Sequence, residues 1–154
     1  MRTLLRLSSV LALAMISVSA VAQVTTATLP VGSYPIGVAL NTSTNQIYTV
    51  NSQCYSYPCS TKGTVTVTDG VTHNIVGTVN IGYSPGDIVV NPATNTIYVA
   101  NVCGNDPTCE SPGTVTVING TTLQPTTVTV GYAPGFSIHG IAINQTANTI
   151  YVVN

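Results

Sequence analysis

The chain repeats itself, and that constrains its fold more than anything else in it. Residues 32–81 read GSYPIGVALNTSTNQIYTVN, a loop, then KGTVTVTDGVTHNIVGTVNI. Residues 82–130 restate the unit as GYSPGDIVVNPATNTIYVAN, a loop, then PGTVTVINGTTLQPTTVTV. A third copy opens at residue 131, carries four extra residues at 137–140, and reaches Asn154. A period of this length belongs to architectures in which each unit buries its apolar faces on its neighbours.

Within a unit, short β-prone runs alternate with turn residues. In the second copy the expected strands are 88–91, 96–100, 114–118 and 126–130, with the turn Asn91-Pro92-Ala93-Thr94-Asn95 between the first two. Asp69-Gly70 and Asn119-Gly120 are expected hairpin turns between third and fourth strands. Pro85 and Pro134 fall where one unit passes to the next, since proline cannot donate within a central ladder. No helical period occurs after residue 22. The fold expected is all-β: propeller blades of four antiparallel strands, about two and a half of them. First strands such as Ile88-Val89-Val90 and Ile141-Ala142-Ile143 are the most apolar and should line the middle. The Thr-rich runs 64–68 and 126–130 should be outer strands with a wetter face. Residues 25–31 match the outermost strand of a unit (TLPVGSYP against TVNIGYSP).

Ile-Tyr-Thr-Val-Asn at 47–51, Ile-Tyr-Val-Ala-Asn at 97–101 and Ile-Tyr-Val-Val-Asn at 150–154 resemble the YVTN-type β-propeller repeat of bacterial secreted and archaeal surface-layer proteins. Asn-Pro-Ala-Thr-Asn at 91–95, Gly-Thr-Val-Thr-Val-Ile-Asn-Gly at 113–120 and the Val-Gly-x-x-Pro at the unit boundary complete the pattern. The resemblance covers residues 25–154 and implies a scaffold whose ring closes with about seven blades. It implies no particular site. The expectation is therefore a partial reading frame of a longer propeller, with assembly of several chains into a ring as the alternative. Open blade edges should favour self-association in both cases.

Residues 1–22 read as a signal peptide: Arg2 and Arg6, an apolar run over 7–18, and Ala20-Val21-Ala22 before cleavage. The run is shorter than the ~20 residues of a membrane span. The expected location is secreted, periplasmic or at the cell surface. Beyond residue 22 the charges are Lys62 against Asp69, Asp87, Asp106 and Glu110. That poverty of cations excludes an ordinary nucleic-acid binder, which must neutralise phosphates. The absence of tryptophan and the single Phe argue against a base-stacking surface.

Cys54 and Cys59, and Cys103 and Cys109, occupy the same loop of successive units. The expected bridges are Cys54–Cys59 and Cys103–Cys109, each closing a small loop and each contributing ~2–3 kcal/mol by loop entropy. Neither spacing is CxxC and no His lies nearby, which disfavours redox and zinc chemistry. No catalytic residue, cofactor or metal is assigned. His73 reads as an exposed hairpin residue. His139 lies in the insertion beside a first strand, near the channel end where propeller sites are built. Asp106 and Glu110, with Asn105, offer oxygen ligands of the kind calcium takes, but two acids are too few for tight binding and the spacing matches no calcium loop. Asp87 should cap the turn after Pro85-Gly86 or, as the alternative, face the channel. Tyr34, Tyr83 and Tyr132, and Tyr48, Tyr98 and Tyr151, recur and read as packing. Tyr55 and Tyr57 do not recur, and on a stapled loop they suit a recognition surface. Asn41, Asn119 and Asn144 fit the glycosylation acceptor pattern. The function expected is a non-enzymatic scaffold binding a protein or carbohydrate. The alternatives are part of a lactonase- or lyase-type propeller enzyme, or a structural surface-layer component.

Overall fold

A computed structural model describes residues 27–55, 59–131 and 140–153. The expected signal peptide, Tyr57, Tyr132, Pro134 and His139 lie outside these residues. Within them the chain forms ten strands and no helix. β1 (Pro35–Asn41), β2 (Gln46–Asn51), β3 (Thr64–Asp69) and β4 (Ile75–Asn80) pair in chain order into one antiparallel sheet. β5 (Pro85–Asn91), β6 (Thr96–Asn101), β7 (Thr114–Asn119) and β8 (Pro125–Thr129) form the second, and β9 (Ile141–Asn144) pairs with β10 (Thr149–Val152) in a third. β1 runs beside β5, and β5 beside β9. The first strands therefore gather at the middle while the sheets fan outward, as blades of a partial propeller.

Val, Ile and Thr on alternate positions make each sheet apolar on both faces. Ile88 and Val90 of β5 are buried in one cluster with Tyr48, Val50, Val65 and Val67 of the first sheet. Ala100 and Val115 of the second sheet are buried with Ile141 of the third. This sandwiching corrects the expectation for the third strands. Val65, Thr66, Val67 and Thr68 are all buried, because β3 has a sheet on one side and strands on both edges. The outermost strand of the second sheet is wet: every residue of β8 is exposed. Residues 27–34 form no strand either. An outermost strand needs a third strand as its ladder partner, and both β3 and β7 are already paired on both edges.

β5 begins at Pro85, three residues before the expected start. Pro85 faces Asn101 across a bulge that ends at Ile88. Proline is tolerated as the first residue of a strand. Asp87 caps this bulge, not a turn: its Oδ1 accepts the Ile88 N–H at 2.8 Å. The Asp69-Gly70 and Asn119-Gly120 turns are also longer than two residues. Five residues separate the strands, and His73 N–H and Leu123 N–H reach back to the Asp69 and Asn119 carbonyls at 2.9 and 2.8 Å. Positive φ falls on His73 and Leu123, not on the glycines. Gly70 is required by proximity instead. Its N–H donates to the Asn45 carbonyl at 2.8 Å, and a Cβ would lie 2.7 Å from that oxygen.

Asparagines fasten the units. Asn101, buried at the end of β6, donates from Nδ2 to the Thr116 hydroxyl at 2.9 Å and the Thr114 hydroxyl at 3.2 Å. Its Oδ1 accepts the Gly82 N–H at 3.1 Å, and the Gly82 carbonyl accepts Gly63 N–H at 2.9 Å. Gly82 is thereby tied to both sheets as the chain crosses between them. Asn51 repeats the donor half through Thr66 and Thr64, but its buried Oδ1 has no partner. At the opposite end of the sheets, Asn41 Nδ2 donates to Asn95 Oδ1 at 2.8 Å, and Asn91 Nδ2 to Asn148 Oδ1 at 2.7 Å.

Asn101→Ala is expected to lower stability by about 2–3 kcal/mol, since it leaves buried donors and acceptors without partners. Asn51→Ala should cost less, because one of its polar atoms is already unpaired. Urea unfolding midpoints of the two variants check the order. Equal losses would show that the Gly82 contact contributes nothing.

Candidate functional site

The sheet ends where β2 and β6 stop carry both cysteine loops and both segments that lead into first strands. Cys54 is bonded to Cys59 and Cys103 to Cys109, the pairing expected from the repeat. Each loop is sewn to its lead-in segment by backbone bonds. Ser52 N–H donates to the Tyr34 carbonyl at 2.8 Å, and Val102 N–H to the Ser84 carbonyl at 2.9 Å. Tyr34 and Ser84 hold positive φ of 52° and 47° directly before Pro35 and Pro85. That conformation is costly for a residue with a Cβ, so these backbones are held by their surroundings.

The lead-ins differ in one respect that matters. They read Gly-Ser-Tyr-Pro in the first unit and Gly-Tyr-Ser-Pro in the second. Tyr34 therefore stands where Ser84 stands, not where Tyr83 stands. The reading of Tyr34 and Tyr83 as equivalent packing residues is corrected: Tyr34 is exposed and stacks on Tyr55, with ring centroids 5.6 Å apart and planes at 43°. Such tilted pairs lie within the favourable range for aromatic contacts. Tyr55 is 86% exposed, and among the described residues Tyr34 is the ring that packs against it.

Lys62, the single cation after residue 22, lies at the start of the first unit's third strand. Its Nζ sits 5.7 Å from the Tyr83 ring centroid and donates to Asn105 Oδ1 at 3.3 Å. It thus links the first unit to the second unit's lead-in and cysteine loop. Sequence reading missed both Tyr34 and Lys62. The one-residue offset between GSYP and GYSP was the available signal for the tyrosine.

Asp106 works inside its own loop. Oδ1 accepts the Thr108 hydroxyl at 2.7 Å and the Thr108 N–H at 2.9 Å, while Oδ2 accepts the Glu110 N–H at 3.1 Å. The Thr108 hydroxyl and N–H, then the Ser111 hydroxyl, hold the carboxyl down at about 2 against the ordinary 3.8. Its oxygens are thus occupied as loop caps. Glu110 is exposed beside it. Among the described residues no three of His, Cys, Asp and Glu are gathered where they could hold a metal ion. His73 is exposed in the β3–β4 turn, at the far end of the sheets from the cysteine loops. Asn41 is buried and bonded, so it is closed to modification in the folded chain.

No protein-family model matches the chain, and no curated protein does. Among solved structures it is similar to the Pyrococcus horikoshii acylaminoacyl peptidase (orthorhombic crystal form), with a TM-score of 0.50 and 13% identity. The likeness covers 75% of this chain and 16% of that one. At such identity it shows the fold alone.

The Asp106 pKa carries a pH dependence of definite sign. A carboxyl lowered on folding contributes stability above its unfolded pKa, and that contribution is lost as pH falls through the folded value. The Cys103–Cys109 loop should therefore loosen as pH drops from the ordinary 3.8 towards about 2. Amide exchange of Thr108 and Glu110 should accelerate over that window. In Asp106→Asn the same amides should exchange faster with no such pH step; a step that persists would assign it to another group.

Proposed function

We propose that the chain is a secreted or cell-surface scaffold of the YVTN-like propeller type, binding a protein or carbohydrate and catalysing nothing itself. The observation that carries the reading is the Tyr34–Tyr55 pair: two exposed rings held by a disulfide-closed loop and a strained lead-in. Rigid aromatic surface costs little conformational entropy on binding, and tyrosine offers both an apolar face and a hydroxyl. Lys62 and Tyr83 extend the same surface onto the second unit. Two disulfides are compatible with an oxidising compartment. Among the described residues no helix is long and apolar enough to cross a membrane.

The test is an NMR titration of the oxidised chain with soluble chito- and cello-oligosaccharides and with a proline-rich peptide, following the Tyr34 and Tyr55 ring resonances. A binding probe should shift both rings, and Tyr55→Ala should weaken its affinity at least tenfold, about 1.4 kcal/mol. Because Tyr55 is exposed, the variant should keep the parent's unfolding midpoint. A probe that binds while leaving both rings unmoved would overturn the assignment.

A further inference from the structure

The β3–β4 and β7–β8 turns share one structure built on two different residues. In the first, Asp69 N–H donates to the Asn74 carbonyl at 2.9 Å, His73 N–H returns to the Asp69 carbonyl at 2.9 Å, and Gly70 N–H donates to the Asn45 carbonyl at 2.8 Å. In the second, Asn119 N–H donates to the Gln124 carbonyl at 3.1 Å, Leu123 N–H returns to the Asn119 carbonyl at 2.8 Å, and Gly120 N–H donates to the Asn95 carbonyl at 2.8 Å. The side chains match as well. Asp69 Oδ1 accepts the Val71 and Thr72 N–H groups at 2.9 and 2.7 Å, and Asn119 Oδ1 accepts the Thr121 and Thr122 N–H groups at 2.9 and 3.0 Å. This turn therefore takes a carboxylate or a carboxamide without changing shape. In the first unit it favours the charged form: the Thr72 N–H, then the Val71 N–H, hold the Asp69 carboxyl below the ordinary 3.8.

Asn119 is the one asparagine in the chain followed by glycine, and it is exposed to water. That dipeptide has a chemistry of its own. The glycine nitrogen, once its proton is lost to hydroxide, can attack Cγ of the asparagine. A five-membered succinimide forms, the Cγ–Nδ2 bond breaks, and ammonia leaves. Water then opens the ring at one carbonyl to aspartate, or at the other to an isoaspartyl linkage that lengthens the main chain. Glycine leaves the attack unhindered because it has no Cβ beside the closing ring. Here the fold demands that glycine, since a Cβ on Gly120 would lie 2.6 Å from Asn95 Cγ.

The same neighbour restrains the reaction. Gly120 N–H is committed to the Asn95 carbonyl, and the Asn119 carboxamide to Thr121 and Thr122. Attack needs the nitrogen deprotonated and Cγ brought over it, so these bonds must open first. Asn95 is itself anchored: its Nδ2 donates to the Thr121 hydroxyl at 3.2 Å, and its Oδ1 accepts Asn41 Nδ2 from the first unit at 2.8 Å. We infer that Asn119 is a deamidation site kept closed by the Asn95 contact, and that its aspartate product is one the turn accommodates. The isoaspartyl product is the one the fold opposes, because it turns the carbonyl that Leu123 N–H bonds into a pendant carboxylate. None of these groups belongs to the tyrosine surface, so the two readings stand or fall separately.

The experiment follows the oxidised chain at mildly alkaline pH by peptide mass spectrometry, both folded and in guanidinium chloride. In denaturant, position 119 should be the first asparagine to show the mass of an amide-to-acid change. In the folded chain it should react at least roughly tenfold more slowly, since reaction there waits on local opening. Asn95→Gly suits the left-handed backbone at that position, where φ is 49°, but removes both side-chain bonds. It should raise the folded-state rate severalfold while far-UV circular dichroism shows the sheets intact. Thr121→Val, which removes only the exposed hydroxyl that anchors Asn95, serves as the second variant. Asn119→Asp should keep the parent's urea midpoint. Equal rates in the folded and denatured chains, or another asparagine reacting first, would overturn the inference. So would two variants that leave the rate unchanged, or an Asn119→Asp chain with a lowered midpoint.

Discussion

A sheet of alternating Val, Ile and Thr has two faces that water solvates badly, and the rest of this structure follows from covering both. Pairing within a sheet satisfies the backbone but leaves Tyr48, Val50, Val65 and Val67 facing outward. They are buried only because the next sheet lays Ile88 and Val90 against them. Neighbour contact therefore holds the core together, and each unit is stable to the extent that it is flanked. The central sheet is the best covered, with Ile88 and Val90 on one side and Ala100 and Val115 on the other. The flanking sheets bear the exposed Val38 and Tyr151.

Burial of both faces creates a polar problem that asparagine solves. Where the chain leaves one sheet for the next, its backbone groups lose the ladder. A buried amide side chain offers two donor hydrogens and an acceptor oxygen, whereas a threonine hydroxyl has one hydrogen to donate and an ionised aspartate none. Asn101 uses both, bonding Thr114 and Thr116 within its own sheet and Gly82 in the crossing segment. The glycines at these points follow from the same crowding. A Cβ on Gly82 would lie 2.7 Å from Asn101, and the asparagine could no longer reach the backbone.

Periodicity made the sheets legible, because alternation and turn residues act locally. The four strands of the second unit and the two cysteine pairs needed only the repeat. What depended on neighbours was not legible. The burial of Val65 and Val67 follows from a sheet stacked on β3, which no local pattern records. The length of the Asp69 turn escaped because Asp-Gly favours a two-residue turn intrinsically, whereas here the Asp69 carboxylate, bonded to Val71 and Thr72, builds a wider one. In the candidate site, Tyr55 stood out because it does not recur. Tyr34 was hidden because every unit has a tyrosine just before its boundary proline, and only a one-residue offset separates it from Tyr83.

The asparagine joint has a consequence for how such a chain changes over generations. Every boundary between units is closed by the same few atoms, donated by one first-strand asparagine and accepted by one turn asparagine. A gene that gains or loses a whole unit, through unequal crossing-over between its own repeats, therefore creates no boundary the protein has not already tested. Loss of part of a unit would instead bring mismatched ends together. Variation in length should accumulate in whole blades, while the cysteine loops at the sheet ends, which touch the neighbouring unit through little more than the Lys62–Asn105 bond, remain freer to diverge from blade to blade.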